Sequence, residues 1–395
     1  MARLVVRGAR MLPGRGAAPV EDATLVADGA RILYAGPGSG APQDEAGDEV
    51  VDAAGRTLIP GLIDCHVHLC FDGLANFEGE SREMTVASAA LKAARNARHA
   101  LEAGITTVRD LGGHELAMLD VAKAQRVGLI AGPRIFTAAA VLTITGGHAH
   151  FIGWEVDSAE ELIKGVRMLV KAHADWIKII ATGGVLTRGV DAQRSAFTEH
   201  ELAAAIGEAH EAGLRVASHA IGSAGIANAL RAGVDSIEHG CYLSDESLKM
   251  LGEGNAWLVA TLVAPERILH GGDGVPEHAI RKSEEVSAAH HESFGRAVEG
   301  GVRIASGTDA GTPFNPHGGL WRELALMHDI GMPLPAVLDA ATTEAATLLQ
   351  LDAGELVAGK LADAVLLDGD PLTDVAAYRN VALVVQDGRV VVDRR

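Results

Sequence analysis

A chain of 395 residues, 48% hydrophobic and with a formal charge of −18, holds enough apolar material for one large barrel or for two or three ordinary domains. The acidic balance argues against a protein that tracks nucleic-acid phosphates, because that affinity comes from clustered Lys and Arg. No apolar run approaches the roughly 18 to 20 residues that span a bilayer, and "MARLVVRGARMLPGRG" lacks a signal-peptide core, so neither membrane association nor export is expected.

The first 59 residues hold short β-rich runs, "RLVVRGA" and "ATLVADGARILYAG", with Asp28-Gly29 as a tight-hairpin signal. Residues 357–395 repeat that style in "DAVLLDG" and "VALVVQDGRVVVD", with Asp387-Gly388 as a second such signal. The two ends are expected to pair into one small β-sandwich, a discontinuous domain of 1–59 and 357–395 into which 60–356 is inserted.

The middle alternates short apolar strands with Ala-rich helical stretches. Strands are predicted at 58–69, 105–111, 134–138, 176–181, 215–220, 236–241, 257–263 and 302–308. Helical stretches between them, such as "EHELAAAIGEAHEAG", end in Gly, a common C-terminal stop. Eight such units, with no Gly-rich dinucleotide fingerprint after the first strand, point to an α/β protein built as a (β/α)8 TIM barrel rather than an open doubly wound sheet. The segments 71–84, 143–156 and 183–196 follow strands one, three and four and are expected at the catalytic mouth. A fourth, 264–277, reads equally as a mobile flap or as a solvated surface. Cys65, Cys70 and Cys241, an odd and scattered set, suit a reducing compartment, for which cytoplasm is the default.

Ionisable groups recur at the ends of these strands: His66 and His68 in "HVHL", Lys178 in "WIKIIATGG", His219 in "VASHAIG", His239 in "SIEHGC" and Asp309 in "ASGTDAG". Strand alternation places the two imidazoles of His66-Val67-His68 on one face, close enough to grip one cation. Singly, each group has a plain packing explanation: hydrogen-bonded core histidines, a lysine reaching solvent, an aspartate capping a helix. Jointly, six such groups at one barrel face read as a metal site. Imidazoles and carboxylate oxygens suit zinc or a related divalent ion, and two ions ~3.5–4 Å apart can share a water-derived bridge. An ammonium cannot ligate a cation, so as a ligand Lys178 must be deprotonated and modified, most simply by CO2 to a carbamate.

In order and context, "HVH", "IKI", "SHA", "EHG" and "GTDAG" resemble the amidohydrolase superfamily over nearly the whole chain. The resemblance implies that His66, His68 and Asp309 hold one metal and His219 and His239 the other, with carbamylated Lys178 (N6-carboxylysine) bridging two divalent ions, Zn2+ by preference. It also implies that Asp309 shuttles a proton from a bridging hydroxide to the leaving group. The reaction class is metal-assisted hydrolysis of a C–N bond.

Further motifs, "TVRDLGG" at 107–113, "TGGHAHFIG" at 145–153, "ATGGVLT" at 181–187, "HGCYL" at 239–243 and "GTDAGTPFNPHGG" at 307–319, resemble the branch of Xaa-Pro and Xaa-Arg or Xaa-Lys dipeptidases and mycotoxin-amide hydrolases. Imidazolonepropionase is a more distant likeness, and Lys178 weighs against it. His148, His150 and Arg188 are candidates for binding a substrate carboxylate, Arg by its planar fork. The His148/His150 pair has a rival reading as a third metal site. Tyr242 is either a catalytic donor to a forming oxyanion or a solvated rim residue, and His317 is a candidate pocket residue. Arg109 and Asp110 read as a structural ion pair, while His99, His173, His210, His290 and His291 read as surface groups. The expected substrate is a small molecule, a dipeptide or N-acyl amino acid with a free carboxylate. The alternatives are a cyclic amide, lactone, carbamate or aryl amide, and a non-catalytic metal-binding scaffold on the same fold. Barrel enzymes often self-associate, so a homo-oligomer is also an expectation.

Overall fold

The computed structural model describes residues 2–395. Strands from both chain ends share one sheet, in the order Arg389–Asp393, Val381–Gln386, Ala364–Leu367, Thr57–Pro60, Leu4–Met11, Val20–Asp28 and Arg31–Pro37, with Glu49–Asp52 also paired to Leu4–Met11. Asp387 (φ 49°) and Gly388 (φ 71°) turn the last hairpin with left-handed backbone at both central positions, the geometry that matches strand twist in a two-residue loop. Alternate residues, among them Leu4, Val6, Leu25, Leu58, Leu366 and Leu383, bury one apolar core. The antiparallel register Ala364↔Pro60 to Leu367↔Thr57 brings the C-terminal strand against the residues just before the first metal-motif strand.

The remaining strands are parallel and fall into two sheets. One holds Leu62–Val67, Ile105–Asp110 and Arg134–Thr137. The other runs Gly153–Glu155, Val141–Thr143, Trp176–Ile180, Arg215–Ala220, Ser236–His239, Trp257–Val259. Their near-continuous burial is what a sheet covered on both faces demands.

The predicted eighth strand, 302–308, is not a regular strand. Ile304 makes only an isolated parallel bridge to Leu258, after which backbone bonds switch partners: Cys65 N donates to Ser306 O (2.9 Å), Asp309 N to His66 O (2.7 Å) and His68 N to Ala310 O (2.8 Å). The cause is local. Gly307 packs where a Cβ would lie 2.4 Å from Val259 Cγ1 and 2.9 Å from His66 Cβ, and Asp309 takes a left-handed φ of 59° that interrupts a ladder. At the other seam Asp175 N donates to Thr137 O and the Asp175 carboxylate accepts from Thr137 N, so a side chain replaces a ladder bond.

Helices cover these sheets, and several begin on side-chain caps. Thr85 and Ser88 box the start of Val86–Glu102, and Thr198 and Glu201 that of Glu199–Glu211. Gly104 and Gly213, both at positive φ, end those helices in the left-handed stop that the sequence suggests. The predicted mouth segments are partly structured: 71–84 contains the helix Phe77–Glu83, and 264–277 overlaps the helix Val263–His270, whose Ile268 is buried. That burial is why the latter is not a bare solvated loop.

Candidate metal centre

His66 is the penultimate residue of the first parallel strand and His68 directly follows that strand, while Asp309 arrives on the irregular segment hydrogen-bonded to it. Asp309 Oδ1 lies 3.4 Å from His66 Nε2 and 3.2 Å from His68 Nε2, and one ligand atom from each of the three fits within a 4.8 Å cluster. Lys178, His219 and His239 reach the same cavity from three neighbouring strands. The His239 ring is 5.2 Å from that of His66 and 4.6 Å from that of His219. His239, like Asp309, has left-handed backbone (φ 73°), a conformation that non-Gly residues hold mainly where the surroundings enforce it.

Whether these residues suit a metal is testable from what else they touch. Each of the four imidazoles donates one ring N–H to a fixed acceptor: His66 Nδ1 to Glu238 Oε2 (2.9 Å), His68 Nδ1 to Gly112 O (2.6 Å), His219 Nε2 to Gly183 O (2.9 Å) and His239 Nδ1 to Thr261 Oγ1 (2.6 Å). Thr261 can accept because its own proton goes to Ala260 O. The other nitrogen of each ring is left with its lone pair for a cation, the arrangement that fixes tautomer and aim in metal-binding histidines.

Lys178 supplies the second indication. It is 2% exposed, and its Nζ has no hydrogen-bond partner. Leaving a buried donor unsatisfied costs roughly 1–3 kcal/mol, and more for a charged one. Burial accordingly pulls its pKa down to about 8. Burial, reinforced by the Lys178 charge, lowers His219 to about 3 and holds His66 well below the ordinary value; burial also holds His239 far down. These rings are neutral near pH 7, the form that ligates metals. Burial opposes charge on His68 too, but the Asp309 carboxylate outweighs it and raises the pKa.

Behind His66 stands a buried network that the sequence reading missed. Arg109 Nη2 donates to Glu238 Oε1 (2.8 Å), Arg109 Nε to Cys65 O (2.6 Å) and Arg109 Nη1 to Ser236 Oγ (3.0 Å), with the guanidinium 4.6 Å over the Trp176 ring. Arg109 therefore pairs with Glu238, not with Asp110. Neighbours on a strand point to opposite faces, and Asp110 instead accepts from Leu69 N and Gly112 N. The adjacency of Glu238 to His239 was the only sequence signal for this role.

The cavity at these residues has a volume of about 800 Å³ counted with its open mouth. His148 lines it, its ring 4.5 Å from that of His219 and its Nδ1 bonded to Thr187 Oγ1 (2.9 Å). Gly184 is the cradle for that ring, since a Cβ there would sit 2.4 Å from His148 Nε2. The other candidate substrate residues lie elsewhere among the described residues. His150 donates to Gly147 O, and Tyr242 donates its phenol proton to Glu285 O (3.1 Å). Arg188 is exposed beside Asp191, Arg281 and Glu285, and His317 donates to Phe71 O and lines a separate depression with His99 and Arg379. His290, read as a surface group, is 1% exposed, donates to His239 O (3.0 Å) and lines the cavity, because its helix Glu277–Glu299 packs along it.

The family model for the amidohydrolase family matches residues 57–391. An ochratoxinase from Aspergillus niger is 29% identical over 95% of this chain and 83% of its own length. A crystal structure of an Xaa-Pro dipeptidase with methionine bound in its active site superposes with a TM-score of 0.90 at 31% identity, covering 98% of this chain and 99% of the other. A prolidase complexed with N-methylphosphonate-L-proline gives a TM-score of 0.91 at 29% identity over the whole of both chains. By sequence, by fold and by the residues gathered at this site, the chain belongs to the amidohydrolase family and is a metal-dependent hydrolase of amide bonds.

Proposed function

We propose that the chain uses two divalent cations, zinc by preference, to hydrolyse the amide bond of dipeptides or N-acyl amino acids. In this reading His66, His68 and Asp309 would hold one ion and His219 and His239 the other, with Lys178, as a carbamate, supplying oxygen ligands. The observation that carries it is the buried, unpartnered Lys178 Nζ in a cavity shared with four imidazoles and a carboxylate. With a pKa of about 8, the neutral amine is accessible at mild pH. Its attack on CO2 forms an N–C bond, releases one proton and turns the neutral amine into an anion with two oxygen ligands.

Bound there, the cations would supply Lewis acidity toward the substrate carbonyl and lower the pKa of water. The chain's own residues do the rest. Asp309, beside both His66 and His68, takes the proton released as water attacks and returns it to the leaving amine. His148 contacts the substrate, while Tyr242, bonded to Glu285 O, stands outside this machinery. The same reading makes 60–356 a (β/α)8 barrel and 1–59 with 357–395 a discontinuous β domain. Cys65, Cys70 and Cys241, all buried and unpaired, support a reducing, cytoplasmic setting.

A second reading, hydrolysis of an aryl or cyclic amide without a free carboxylate, is favoured by the exposed position of Arg188. Zinc- or manganese-loaded enzyme assayed against dipeptides, N-acyl amino acids, an aryl amide and a lactone separates the readings. Turnover of the first two classes is expected, turnover of only the last two favours the second reading, and turnover of none leaves only the scaffold.

A further inference from the structure

The wall of the cavity is apolar. Phe151, Ile180, Val185, Leu186, Ile268 and Val286 line it, and among the described residues its only charged side chains are Lys178 and Asp309, both in the proposed ligand set. Two of these wall residues, Val185 and Leu186, come from the segment 183–190, which has no helix or strand of its own. Val185 packs with Ile221, Cys241 and Val286 on one side and with Ile268 on the other, so it closes the gap between two apolar clusters.

Side chains of one helix hold that segment, Lys282 foremost. Lys282, on the helix Glu277–Glu299, is 8% exposed and spends all three ammonium protons on backbone carbonyls of this segment: Gly184 O (3.0 Å), Thr187 O (2.7 Å) and Val190 O (2.5 Å). His278, one turn earlier on that helix, donates to Leu186 O (3.0 Å). The fixed segment in turn fixes His148, through Thr187 Oγ1, which accepts from His148 Nδ1 and Ala149 N, and through the Gly184 cradle. A charge-assisted clamp on three carbonyls is a stronger restraint than neutral loop bonds supply.

We propose that 184–190 is the specificity wall of this enzyme, selecting amides whose side chain beside the scissile bond is apolar, and that Lys282 is the positioning residue that holds it in place. The inference rests on the amide-hydrolase reading of the cavity. It assigns substrate preference to uncharged aliphatic or aromatic groups, since a cavity with no spare counter-charge leaves a Lys, Arg or Glu side chain unpaired. It also makes the preference depend on a residue that does not contact substrate.

The test uses metal-loaded full-length enzyme with matched dipeptides and N-acyl amino acids bearing Leu, Phe, Lys or Glu side chains, alongside hydrogen–deuterium exchange of 184–190. Wild type should favour Leu and Phe by about ten-fold or more in kcat/KM, the scale a shaped apolar pocket supplies. Lys282→Met, which keeps the stem and loses the ammonium, should raise exchange in 184–190, raise KM for Leu and Phe more than it lowers kcat, and keep the wild-type metal content. Leu186→Ser, at a half-buried position, should erode the preference without raising exchange as far. Turnover with no apolar preference, or Lys282→Met with unchanged exchange and preference, overturns this inference and leaves the hydrolase reading standing. Turnover of no amide by wild type overturns both.

Discussion

Glu238 Oε2 accepts a 2.9 Å hydrogen bond from His66 Nδ1, and the same carboxylate is held by Arg109 from its other oxygen. Residues 172 positions apart are thus joined where the ring must be aimed at a cation. Strand alternation would send Glu238 and His239 to opposite faces, but left-handed backbone at His239 breaks the alternation, so both approach His66.

Glu238→Gln keeps the shape and loses the charge that orients His66. Outer partners of this kind are worth about 10–100-fold in metal affinity or activity. The expected outcome is a loss in that range, read by competitive metal titration, with little change in secondary structure.

Arg109→Met leaves the fully buried Glu238 carboxylate without its cation. Breaking one side of a buried pair costs about 3–5 kcal/mol, so the metal-free protein should lose a corresponding stability in denaturant unfolding. Replacing both members together should cost less than the sum of the single changes.

Lys178→Met removes an ammonium that has no partner in the metal-free protein. The metal-free variant should be at least as stable as wild type in thermal unfolding, while its amide hydrolysis is abolished. Lys178→Ala should lose activity as well, with partial recovery on adding a short-chain carboxylic acid that fills the vacated space.

Glu323 is buried and accepts from Leu262 N (2.9 Å) and Val263 N (2.7 Å) at the start of the helix Val263–His270, and burial pushes its pKa up to about 8. A folded pKa above the unfolded value near 4.5 means that the unfolded chain releases this proton first. Its contribution is complete below about 4.5 and is lost as pH rises toward 8. Wild type should therefore lose stability relative to Glu323→Gln between pH 5 and pH 8, measured as the difference in unfolding midpoint at each pH.

The parts legible in sequence were those that depend on local spacing. His66, Lys178 and His219 sit on strands that are buried almost throughout, His68 directly follows the first of them, and Asp387-Gly388 turns the hairpin its composition suggests. The illegible parts depend on pairing across the chain. Gly307 marks a close approach in the sequence, but not that backbone bonds switch there from Leu258 to Cys65 and break the strand. His290 and Lys282 lie in a polar stretch that reads as a solvated helix, and only the packing of that helix along the cavity buries them. Arg188 has the chemistry of a carboxylate binder, but chemistry alone does not fix the direction in which a loop residue points.

The most direct test of the two-metal account is stepwise addition of zinc to chelated enzyme, with amide hydrolysis followed at each step under CO2-saturated buffer. Turnover should be absent without metal and should rise until it levels off at two equivalents per chain. Full activity in the metal-free enzyme, or a plateau at one equivalent, would contradict the two-metal account.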